Sequence, residues 1–141
     1  DPKSGAEVIA ESKYNRAKAY IATGKSTLAI EDLKVLSEDT RTSNGAEAKY
    51  LLASVYFDQA NYTAAEKEVL DFAKKNTPYQ YWLARSFIVL SDIYIKQNND
   101  FQAKQYLLSL QRNYKVNDDV QGMINSRLSA ISQREKSKVI N

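Results

Sequence analysis

Residues 52–70 read LASVYFDQANYTAAEKEVL. A small residue, Ala53, is followed three positions later by Tyr56 and twelve positions later by Ala65. Val69 and Phe72 complete the series at sixteen and nineteen. The same spacing recurs upstream as Ala17, Tyr20, Ala29, Leu33 and Leu36, and downstream as Ser91, Tyr94, Ala103, Leu107 and Leu110. The copies are offset by 36 and 38 residues. A period of this length marks repeated supersecondary units.

The physical content of each copy is a pair of antiparallel helices. A small residue on the first helix lets the second approach closely, and the alanine of the second is its partner at the crossing. The tyrosine covers the same face one turn later, with its hydroxyl left wet. The two later apolar residues form the inner stripe of the second helix. One such hairpin cannot bury its own apolar face, so neighbours must stack.

Helical periodicity and caps place seven helices and no sheet. The first spans about 5–23, with Ser4 and Glu7 as a capping box and Gly24 as its left-handed terminator. The second spans about 28–38 behind Thr27, and the third about 45–59 behind an Asn44–Glu47 box. Thr63 and Glu66 open the fourth, about 63–75, and Pro78 sits at the first position of the fifth, about 78–97. Asp100 caps the sixth, about 101–113. Asn117–Asp119 begin the seventh, to about 135, and a solvated tail follows over 136–141. In the seventh, Val120, Ile124, Leu128 and Ile131 form a single stripe, the pattern of a capping helix.

The spaced residues resemble the tetratricopeptide repeat family over residues 13–115, and the resemblance implies an all-α, right-handed helical-hairpin solenoid. Three repeats fall at about 13–44, 45–78 and 79–116, in one domain over 1–141. The sequence departs from the family at several places. Lys13, Lys49 and Phe87 stand where a large aromatic is common; Ala60 and Asn98 replace the turn glycine kept as Gly24. Arg41, Thr77 and Lys115 stand where a closing proline is common. The long first helices and loose loops are similar to bacterial cell-envelope members, which favours a periplasmic or envelope location.

Composition narrows the function. The chain has 141 residues, no Cys and no His, so thiol and imidazole chemistry and Cys/His metal sites are excluded. Neither a phosphate-binding glycine loop nor a nucleophile–base pair is present, and no catalytic residue, cofactor or metal is expected. Net charge is +3 with acids and bases interleaved, against nucleic-acid binding. The densest basic stretch is Arg134, Lys136 and Lys138. No apolar run is long enough to span a membrane. The chain opens at Asp1-Pro2, which suggests processing or a fragment of a longer protein.

The expected function is a non-enzymatic scaffold for a protein or peptide partner. The resemblance implies that the first helix of each pair lines a concave groove. On that basis the groove residues are Tyr14 and Lys18, then Tyr50, Ser54 and Phe57, then Arg85, Ile88 and Asp92. Ile21, Phe57 and Ile95 have an alternative role in packing against the next unit. The run Tyr79-Gln80-Tyr81-Trp82 is either a partner surface or packing of the fifth helix. Two other functions are weighed: a homo-oligomerisation module pairing through the first helix, and an RNA-binding helical repeat. Asn61-Tyr62-Thr63 matches a glycosylation acceptor inside a turn.

Overall fold

A computed structural model describes residues 2–140, with side chains to Val139. Seven α-helices follow in order: α1 (Gly5–Ala22), α2 (Ser26–Leu36), α3 (Ser43–Asp58), α4 (Tyr62–Ala73), α5 (Gln80–Lys96), α6 (Asp100–Asn113) and α7 (Asp119–Ile140). There is no strand among the described residues. The chain is an all-α helical-hairpin repeat fold. It divides into two compact units, Asp1–Leu83 and Ala84–Asn141, with the division inside α5.

In the first unit α1 packs on α2, α2 on α3 and α3 on α4. The small residues at the crossings, Ala17, Ala29, Ala53 and Ala65, are fully buried. With Ala17 and Ala29 cluster Leu33, Leu36, Leu52 and Val55, and Tyr14, Tyr20, Ile21 and Tyr56 pack against this core. Phe72 and Val69 are fully buried on α4.

In the second unit Ser91 and Ala103 are likewise fully buried, and the Ser91 hydroxyl donates to Phe87 O at 3.0 Å. Tyr106 of α6 stacks with Phe87 and Tyr94 of α5 at centroid distances of 6.0 and 5.7 Å. Helix α7 packs on α6 and buries Val120, Ile124 and Ile131.

The three hairpin turns repeat bond for bond. Gly24, Ala60 and Asn98 all have positive φ, at 75°, 59° and 58°. Each donates its N–H to the carbonyl three residues back, and the next residue reaches back five to Tyr20, Tyr56 or Tyr94 at 2.7, 2.9 and 2.8 Å. This is the Schellman arrangement, and the repeated tyrosine is the residue whose carbonyl it uses.

The helix starts differ from the caps expected. Ser4 does cap α1, accepting from the Glu7 N–H. Thr27, however, lies inside α2, whose N-cap Lys25 makes no side-chain cap bond. Thr42, Asn61 and Asn99 cap α3, α4 and α6 in place of Asn44, Thr63 and Asp100. At α4 and α6 the reason is the tight turn: the residue that closes the Schellman bond is already the cap of the next helix. At α3 the Thr42 hydroxyl accepts from the Gly45 N–H, which leaves Asn44 inside the first turn. Helix α5 starts at Gln80, not Pro78, because the Thr77 hydroxyl accepts from the Tyr79 N–H and holds a turn there. Helix α7 continues to Ile140, past the end expected at about 135, so 136–140 is helix, and 136–139 are solvent-exposed as expected; Asn141 lies outside the described residues.

Candidate functional site

On the first unit, Tyr14 and Lys18 sit one turn apart on α1 and converge on Glu47 of α3. The Tyr14 hydroxyl donates to Glu47 Oε1 at 2.7 Å, and Lys18 Nζ donates to Glu47 Oε2. Lys18 Nζ also lies 5.6 Å from the Tyr14 ring centroid. Burial, then the hydrogen bond to the Glu47 carboxylate, pushes the Tyr14 hydroxyl above its ordinary value. The same carboxylate bond raises Lys18. Glu47 is buried and serves as an inter-helix acceptor rather than half of a capping box.

Further along the same unit the half-buried Tyr50 ring meets Trp82, with centroids 5.5 Å apart and planes tilted by 31°. Tyr81 stands edge-on to Trp82 at 4.9 Å. Within this unit the aromatic run at the start of α5 therefore packs onto α3 through Trp82. Ser54 and Phe57 are half-buried, and Phe57 faces Tyr62 at 5.6 Å.

On the second unit the charged candidates are already paired. Asp92 accepts a fork from Arg127 of α7, Nε at 2.7 Å and Nη2 at 2.9 Å. Arg85 lies 3.7 Å from the Asp119 carboxylate. Ile88 is 4% exposed, so it is a core residue and offers almost no surface to a partner. It differs from its counterparts Tyr14 and Tyr50 because an aliphatic side chain carries no polar tip to keep in water.

The geometry thus joins Tyr14 to Lys18, and Tyr50 to Trp82, and ties Lys18, Arg85 and Asp92 to ionic partners. Glu47 and Arg127 are central to these contacts and were not among the residues expected. One signal was legible: Glu11, Glu47 and Arg85 share one repeat position and are all charged. Chemically the arrangement offers half-exposed aromatic faces beside neutralised charges, which suits docking of apolar side chains.

Residues 10–34 match the family model of the tetratricopeptide repeat. The matched stretch runs from the middle of α1 through the Gly24 turn into α2. Together with the seven helices it supports a tetratricopeptide-like repeat. No curated protein and no solved structure matches the chain.

Proposed function

We propose that the chain is a non-enzymatic interaction scaffold that holds a protein segment against the first helices of its hairpins. The family match at residues 10–34 supports protein partners in general. The observation that carries the site is the contact of Tyr50 with Trp82 on the first unit, two half-buried rings with Ser54 and Phe57 further along α3. Rigid aromatic rings are the usual anchors of binding surfaces. Tyr14 and Lys18 extend this surface on α1. Arg85 and Asp92 belong to the proposal as charges of the second unit, held in place by Asp119 and Arg127. A peptide array probed with the wild type and with Tyr50→Ala tests the reading. Loss of captured peptides in the variant, with circular dichroism showing that it stays folded at the assay temperature, is the expected result. Identical capture by both proteins would remove the aromatic surface from the proposal.

A second reading has its own observation. Val8, Ile9, Leu28 and Val35 are exposed on α1 and α2, and Ile9 and Val35 line a shallow groove with Ala6, Ala10 and Leu36. An apolar face of this kind supports self-association through the first hairpin. Sedimentation over a range of concentrations separates the two: an Ile9→Asp/Val35→Asp variant that stays monomeric while the wild type dimerises favours the module.

A further inference from the structure

We infer that one end of the second unit, where α6 begins and α7 ends, docks on an anionic membrane surface. This is independent of the aromatic surface on the first unit.

Residues 84–141 hold nine Lys and Arg against five Asp and Glu. The excess is gathered by the packing. Arg134 of α7 grips Asp100, the first residue of α6, through Nε at 2.7 Å and Nη2 at 3.2 Å. Lys104 reaches Glu135 at 3.2 Å. These two bridges fix the last turns of α7 beside the first turns of α6, and they consume both acids at that end. The positive charge of Lys138 also acts on the Asp100 carboxyl. Lys96 lies four residues before Asp100 across the Asn98 turn and is exposed, as are Lys136 and Lys138.

Two large apolar side chains stand among these cations. Phe101, next to Asp100, is 72% exposed, and Val139, next to Lys138, is 87% exposed. Ile131 is the last buried residue of α7, and 133–139 are all exposed while still helical. The result is a helix end carrying basic and apolar groups past the core. Basic side chains flanking exposed apolar ones suit an anionic headgroup layer with shallow insertion. Charge complementarity therefore names the occupant: a lipid surface with net negative headgroups.

Vesicle co-sedimentation of the full chain is the test. Equimolar phosphatidylglycerol–phosphatidylcholine vesicles should retain the protein in low salt and release it in about 0.5 M salt, where the screening length falls to a few ångströms. Pure phosphatidylcholine vesicles should not retain it. Lys136→Glu/Lys138→Glu should weaken retention by at least about tenfold, and Phe101→Ser should weaken it further. Lys67→Glu/Lys74→Glu, the same charge change at exposed sites on the first unit, should leave it unchanged. Circular dichroism confirms that each variant is folded. Equal retention by neutral vesicles, no retention by anionic ones, or equal loss in both charge-reversal variants would overturn the inference. So would tighter capture by immobilised polyglutamate than by vesicles, which would mark an acidic protein partner instead.

Discussion

Lys49 and Glu68 occupy in the second hairpin the two positions that Phe87 and Tyr106 occupy in the third. Lys49 Nζ donates to Glu68 Oε2 at 2.7 Å and lies 2.7 Å from Asp71 Oδ2, with its side chain 7% exposed. Phe87 and Tyr106 stack at 6.0 Å at the same relative places. In the first hairpin these places hold Lys13 and Asp32, where Arg16 binds Asp32 in a fork at 2.7 and 2.6 Å. The contact is thus ionic in the second hairpin and aromatic in the third, while in the first Asp32 takes its cation from Arg16, a different position of α1.

Removing one partner of a buried pair leaves the other without compensation. Lys49 is buried but Glu68 and Asp71 keep partial access to water, so Lys49→Ala is expected to cost about 1–2 kcal/mol. The double change Lys49→Phe/Glu68→Tyr copies the third hairpin and should stay within about 1.5 kcal/mol of the wild type. Urea unfolding of both variants checks this, and equal losses would mean that the two sites are not equivalent.

Ala60 holds φ at 59°, a conformation that costs an L side chain roughly 1–2 kcal/mol. Glycine removes that strain but loses more chain entropy on folding. The balance predicts that Ala60→Gly stabilises by about 0.5–1 kcal/mol. Gly24→Ala, at φ 75°, should destabilise by about the same amount. Thermal melts of the two variants should move in opposite directions.

Lys25 stands where Asn61 and Asn99 cap the following helix with their side chains. Lys25→Asn should supply the missing acceptor for the start of α2 and add about 0.5–1 kcal/mol. A melting temperature unchanged by this substitution would show that the Lys25 backbone cannot aim the amide.

Gly45 is in the first turn of α3, and a Cβ there would lie 1.9 Å from Asp39 O and 2.7 Å from the Thr42 hydroxyl. The obstacle is backbone, so it cannot swing away. Gly45→Ala should cost on the order of 2 kcal/mol by forcing the 39–42 segment outward. Ala53→Leu, at a fully buried crossing, should cost on the order of 1–3 kcal/mol.

The pH dependence follows from the carboxylates. Hydrogen bonds from Arg16, Lys49 and Arg134 hold Asp32, Asp71 and Asp100 below their ordinary values. A carboxyl depressed by folding contributes stability above its unfolded pKa, and that stability is lost as pH falls through the folded value. Stability should therefore drop below about pH 4. Tyr14 and Lys18 are raised, so their contribution holds below about pH 10 and is lost as pH rises beyond it. Asp32→Asn should flatten the acid limb of a plot of melting temperature against pH and leave the alkaline limb alone.

The repeat was legible because steric demand writes itself into spacing. Ala17, Ala29, Ala53, Ala65, Ser91 and Ala103 are all fully buried, as their recurrence required. The caps were legible only to within a few residues. A serine or asparagine signals a helix start, but which one caps depends on the turn before it. The charged contacts left one trace, the charged repeat position shared by Glu11, Glu47 and Arg85, and their partners were not legible. Lys49 and Glu47 look like surface residues in any single-helix reading. Their burial depends on Glu68 of α4 and on Tyr14 and Lys18 of α1, which only packing brings near. Ile88 went the same way: a helical position shared with two tyrosines did not reveal that this copy is sealed.

The Thr77 hydroxyl donates to Thr40 O at 2.6 Å, and both residues are buried. Thr40 precedes the second hairpin and Thr77 follows it, so consecutive linkers are clasped to one another along the edge of the first unit. Within the first unit the second hairpin is thereby tied at both its ends by one hydroxyl-to-carbonyl bond between the linkers that flank it. A hairpin of another length put in its place would have to bring a hydroxyl back to the same carbonyl, or leave a buried acceptor without its donor.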